Sequence, residues 1–233
     1  MKTNKKIIEF IPFFVMIALS IITICIYLIS MNGNDGIKVL KIFIALFASL
    51  LIPLINVIFK IKVPIILNIL VTFFCYVSLQ LGSVLDFYGL IPYYDKFLHT
   101  TFGFTGALAV FIFLLYGNGR NLKSWCFFII IMLCVVGIAG FWEIYEYVEN
   151  IITNSNVQRW MPNMGEVGDM SVSEFFKTYD PLWDTIWDII VASFGVVIFY
   201  VFVFIDKLCG YKACKSIYNQ VRVSTKQTNK TVE

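Results

Sequence analysis

Charge is what this chain has least of. Asp, Glu, Lys and Arg make up only 14% of its 233 residues, and histidine occurs once. A soluble domain of this length needs far more polar surface to stay dispersed, so that class is excluded. The six cysteines give no disulfide framework. Cys25, Cys75, Cys126 and Cys134 fall within apolar runs, and Cys209 and Cys214 lie in the C-terminal tail. A zinc reading of "CGYKAC" lacks a second ligand pair and a nearby histidine. There is no internal repeat, no glycine-rich phosphate loop and no Ser or Cys nucleophile motif. No nucleic-acid motif is present either, so nucleic acid is not an expected partner.

What fills the chain is apolar. Hydrophobic residues reach 59%, phenylalanine occurs 23 times, and the mean hydropathy is +0.82. Six runs approach the ~20 residues a helix needs to cross a bilayer. They lie near 7–30, 39–59, 63–82, 97–116, 124–145 and 183–205, separated by polar or turn-rich breaks such as "MNGNDG" and "YGNGRN". The runs are continuous rather than alternating, which argues against a β-barrel. The first is too long, and too far from a small-residue cleavage site, to read as a removed signal peptide. The expected fold is an all-α polytopic bundle forming one membrane domain, 1–233. Pro53 falls inside the second span, where neighbouring helices tolerate a kink.

The basic residues are distributed unevenly. Lys2, Lys5 and Lys6, then Lys60 and Lys62, Arg120 and Lys123, and finally Lys207, Lys212, Lys215, Arg222, Lys226 and Lys230 all fall on one side of a six-span chain. The positive-inside rule makes that side cytoplasmic, with both termini inside a bacterial plasma membrane. Only Glu9, Asp206 and Glu233 accompany them among the 15 acids, so the outer face is acidic. The tail, 207–233, is basic and suits anionic headgroups; its end, "KQTNKTVE", reads as disordered. The outer loop, 147–180, contains Trp160, Met161, Phe175 and Phe176 with Glu166 and Asp169, and reads as a lid on the interface. Ser173 is placed to open a helical turn there.

Three segments bring ionisable groups to one level of the membrane. In "YDKFLHTT", Asp95 and His99 are four apart and share a helix face. In "FWEIYEYVEN", Glu143, Glu146 and Glu149 close the fifth span, where the helix dipole opposes negative charge. In "YDPLWDTIWDII", Asp180 and Pro181 signal a helix start, and Asp184 and Asp188 follow on one face. Asp95 reads equally as a cap or a ligand, and Asp180 as a cap. Asp188 lies two turns inside, where a carboxylate costs about 2.5–3.5 kcal/mol without a partner or water. Lys96 is the one fixed positive charge beside these motifs, with Arg159 and Lys177 in the loop, too few for the carboxylates present. A divalent metal is the economical answer: oxygens with one imidazole suit Mg²⁺, Mn²⁺, Zn²⁺ or Ca²⁺. The expected ligands are Asp95, His99, Glu143, Glu146, Asp184 and Asp188, with His99, Asp188 and Glu146 the candidates for catalysis. Shared protons are the alternative, and would equip the site for proton relay.

"YDKFLHTTFGF", "FWEIYEYVE" and "WDTIWDIIVASFGVV" resemble, in order, the signature segments of the YjdF-like family of bacterial integral membrane proteins. The first and last are more loosely similar to VanZ-like proteins, which are associated with the cell envelope. The resemblance covers roughly 91–200 and falls on the same six residues, although Ile186-Trp187 departs from the common pattern. It implies a site rather than a reaction.

The leading expectation is an outward-facing carboxylate–histidine site that binds a divalent metal and acts on or senses a lipid-like envelope component. A proton- or cation-coupled transporter is the runner-up, and a non-catalytic partner-binding membrane protein the third reading. Whether chemistry follows binding is left open by the residues themselves.

Overall fold

The computed structural model describes residues 7–30, 33, 35–59, 61–117, 119–153, 158, 171, 174 and 180–229. In chain order its helices are α1 (Ile11–Ser30), α2 (Gly36–Ile58) and α3 (Ile65–Cys75), which continues as a π-helical segment, Tyr76–Val84. A short α4 (Phe87–Leu90), then α5 (Tyr94–Tyr116), α6 (Ser124–Thr153), α7 (Pro181–Leu208) and α8 (Lys212–Asn229) complete the order. Six of these elements are long and apolar enough to span a bilayer: α1, α2, α3 with its π segment, α5, α6 and α7. No strand occurs among the described residues. The chain is the expected all-α polytopic bundle.

The first three spans bury polar side chains beside apolar ones and turn large apolar side chains outward. Along α1 the buried positions Met16, Ser20, Thr23 and Tyr27 recur every three or four residues, while Phe14, Ile21 and Leu28 face outward. In α2 the buried stripe is Ile42, Ala45, Ser49, Pro53 and Asn56. Lipid tails solvate leucine and phenylalanine as well as a protein interior does, so small and hydrogen-bonding side chains share these buried stripes. Gln80, fully buried in the π segment, donates to Ser20 Oγ at 2.6 Å and ties that segment to α1. The short α2–α3 connection is held by Asn56, whose Oδ1 accepts from Val63 N at 2.9 Å. Asn68 Nδ2 meanwhile donates to the Glu9 carbonyl at 2.8 Å.

The second half of the molecule is built on α5 and α7, which run in the same direction, Lys96 meeting Asp188 and Phe104 meeting Phe199, with α6 antiparallel beside them, Glu143 meeting His99 and Phe127 meeting Phe111. Their approach depends on two glycines. A Cβ on Gly103 would collide with the Ala192 carbonyl, and one on Gly195 with the Thr100 carbonyl. The helices meet backbone to backbone, as small residues allow in membranes. Away from the acidic end, Leu108, Ile112, Ile131, Val196 and Phe199 form an apolar core.

Two boundaries differ from expectation. The fifth span does not end near 145: α6 runs on to Thr153, carried by "VENIIT", so Glu143 sits nearly three turns inside the helix rather than at its end. The tail, read as disordered over "KQTNKTVE", is helical as far as Asn229 in α8, and 230–233 lie outside the described residues. Ile217 and Val221, four apart, are buried in the apolar core and anchor it. Most of the outer loop, including Arg159, Trp160, Met161, Glu166, Asp169, Ser173, Phe175, Phe176 and Lys177, lies outside the described residues. Within it, Ser171 and Glu174 form a reciprocal cap: Ser171 N and Oγ donate to Glu174 Oε2, and Glu174 N donates to Ser171 Oγ.

Candidate metal centre

Each segment of the site is positioned by a local device. α7 starts as its sequence dictates, with Asp180 Oδ1 accepting from Leu182 N at 2.9 Å and Pro181 in the first turn. That places Asp184 in the first turn and Asp188 one turn deeper. α5 starts differently. Tyr93 precedes it with φ 60°, a left-handed conformation that costs a bulky residue about 1–3 kcal/mol. Asp95 does not cap this helix. Tyr94 anchors its start, donating to the Val77 carbonyl of the π segment at 2.8 Å and packing edge-on against Phe87 and Tyr88. The first turn of α5 thereby presents Asp95, Lys96 and His99 to α7.

At the centre stands His99, which is buried. Its Nε2 is 3.7 Å from Asp188 Oδ1, 3.9 Å from Asp95 Oδ2 and 3.9 Å from Glu143 Oε1. These separations are too long for hydrogen bonds. Each is less than twice the ~2.0–2.2 Å at which nitrogen and oxygen ligate zinc-like ions. One ligand atom each from Asp95, His99 and Asp188 all lie within 4.8 Å of one another. The donor set, carboxylate oxygen with one imidazole, suits hard or borderline divalent cations.

Glu143 is the most informative neighbour. It is 4% exposed, and neither carboxylate oxygen has a hydrogen-bond partner of good geometry among the described residues. The Thr185 hydroxyl adjoins it while accepting from Gln158 Nε2 at 3.3 Å. Buried acids are ordinarily satisfied, and leaving one bare costs more than a neutral group would. Oε1 instead faces His99.

The remaining candidates are engaged elsewhere. Glu146 is buried, and its Oε1 accepts from Trp142 Nε1 at 2.8 Å, one turn back on the same helix. Glu149 pairs with Tyr145 toward the rim. Asp184 Oδ1 accepts from Lys96 Nζ at 2.5 Å. Of the six expected ligands, three converge, Glu143 adjoins them, and Asp184 and Glu146 flank the cluster.

Lys96 is the residue whose importance the sequence understated. Its Nζ donates to both oxygens of Asp188, at 2.8 Å each, and lies 3.5 Å from Asp95 Oδ2. It serves three aspartates at once, so a large part of the local charge is balanced from within the chain. The signal was present in "YDKFLHTT", one residue after Asp95, but a lone lysine there also reads as a solvated rim. Gly103 and Gly195 were likewise missed; their helical spacing from His99 and Asp188, in "HTTFG" and "DIIVASFG", was the available clue.

A search of curated proteins and a search of solved structures each give no match. The match to a family model, described as "Predicted membrane protein (DUF2238)", spans residues 12–207. It extends the YjdF-like resemblance of 91–200 over the first three spans. The chain therefore belongs to the DUF2238 family of predicted membrane proteins.

Proposed function

We propose that this protein holds a divalent cation at Asp95, His99 and Asp188, with Glu143 as the adjoining donor, at the outer end of its bundle. There it acts on or senses a lipid-like component of the bacterial envelope. The observation that carries the reading is the buried Glu143 carboxylate, which has no well-formed hydrogen bond among the described residues and is aimed at a histidine that two further carboxylates face without bonding to it. A bound divalent ion would supply Lewis-acid polarisation of a phosphoryl or carbonyl oxygen. Asp95 and Asp188 would hold and orient the ion, and His99 would be its nitrogen ligand. Glu146, buried beside Trp142, is the reserve proton acceptor. Lys123, Lys207 and Lys212 lie toward the opposite end, and the positive-inside rule puts that end, with both termini, in the cytoplasm.

Metal analysis of the purified protein tests this. The wild type should carry about one equivalent of divalent metal, lost in Asp188→Asn and in Glu143→Gln; a metal-free wild type contradicts it. Sidedness is tested with cysteines placed at Asn163 and Asn229 in a cysteine-free background. Outside reagent should reach position 163 and spare 229; the reverse would move the site to the cytoplasm.

A coupled carrier is the second reading. It draws support from the π segment of the third span, because broken helical hydrogen bonding is frequent at functional sites.

A further inference from the structure

We infer that Lys96 is the resident counter-ion of this site and is exchanged for the incoming divalent cation, retreating from Asp188 onto Asp184. The inference rests on the cation-binding reading and specifies how that binding is regulated.

The argument turns on two oxygen atoms. Asp188 Oδ1 and Asp95 Oδ2 face His99 Nε2 at 3.7 and 3.9 Å. The same two oxygens face Lys96 Nζ, at 2.8 and 3.5 Å. An ion ligated by His99 and these carboxylates would meet the ammonium at both oxygens. Like charges that close repel strongly in a half-buried site, so the two cations are alternatives rather than companions.

Position and chemistry make Lys96 the partner that yields. It lies in the first turn of α5, where the helix dipole disfavours a cation, so the carboxylates alone hold it. Its side chain is 25% exposed, against 1% for Asp188, and a four-carbon stem lets the ammonium withdraw toward water. A place to withdraw to already exists: Asp184 Oδ1 accepts from the same Nζ and is one turn nearer the helix start than Asp188. Asp184 thereby gains a role the converging triad does not give it. It keeps the lysine when Asp188 turns to the metal.

Mn²⁺ titration of the purified full-length protein, read by free-Mn²⁺ electron paramagnetic resonance, tests the exchange. Lys96→Met should bind Mn²⁺ at least tenfold more tightly than the wild type, and Lys96→Arg no more tightly than the wild type. If the wild type binds and Lys96→Met binds equally or more weakly, the exchange is overturned while the cation site stands. If neither binds, the cation site itself fails and Lys96 is a structural ion pair. A second readout needs no variant: amine-directed labelling of wild-type Lys96, quantified by mass spectrometry, should rise several-fold when Mn²⁺ is added. Unchanged or reduced labelling overturns the exchange.

Discussion

Two carboxylates, nearly equally buried, sit at opposite ends of the α5–α6–α7 unit. Asp206 is 7% exposed and Glu143 is 4% exposed. At Asp206 the chain supplies everything the acid needs: Ala213 N donates to Oδ1 and Cys214 N to Oδ2, each at 2.8 Å. The carboxylate closes the start of α8, where unpaired backbone donors and the dipole both favour it. At Glu143 no described residue forms a comparable bond, and only the Thr185 hydroxyl adjoins the carboxylate. Asp188, on the same helix as Asp206, lies between these extremes, satisfied by a lysine rather than by backbone. A buried acid with backbone partners is architecture. A buried acid without such partners among the described residues is what a bound cation would complete.

That contrast can be broken in graded ways. The largest effect should come from the glycines that set the site's geometry. Gly195→Ala or Gly103→Ala forces a methyl into a facing carbonyl and should lower stability by about 3 kcal/mol, with loss of metal binding. Gly137→Ala, whose new Cβ meets nothing within 4 Å, should be neutral or stabilising by up to about 1 kcal/mol in the same thermal-melt series.

The two acids themselves should respond with opposite signs. Glu143→Met removes a buried carboxylate that has no well-formed hydrogen bond among the described residues, so the metal-free protein should gain about 2 kcal/mol while its metal affinity collapses. Asp206→Ala removes a helix cap and should lower the melting temperature modestly while metal affinity is unchanged. Thermal melts with and without chelator measure both.

The smallest effect is chemical. Burial, reinforced by the Asp206 carboxylate, pushes the Cys214 thiol up to about 12. The thiol therefore stays protonated through neutral and mildly alkaline pH, and its alkylation should accelerate only far into the alkaline range. At pH 8 it should react much more slowly than exposed Cys209, and Asp206→Asn should narrow the gap.

The fold was legible because membrane spans announce themselves by length and hydropathy, and so were the Asp180 cap and the depth of Asp188. The end of α6 was not. "VENIIT" mixes polar and apolar residues without a terminator, and reading it as a helix end made the dipole the reason to expect a cation. With Glu143 nearly three turns inside, burial without a well-formed hydrogen bond among the described residues replaces that reason. α8 was missed because two anchors, Ile217 and Val221, are a faint stripe among polar residues. Of the site, the residue types and their faces could be read one helix at a time. Which oxygen Lys96 occupies, and that Gly103 and Gly195 let α5 and α7 touch, are relations between helices that no single stretch of sequence holds.

The most direct test of the cation site is Mn²⁺ pulsed electron paramagnetic resonance on the wild type and His99→Ala. The site predicts one bound Mn²⁺ with nitrogen modulation from a single imidazole, and its disappearance in the variant. Bound Mn²⁺ without nitrogen modulation, or with modulation that survives His99→Ala, would contradict it.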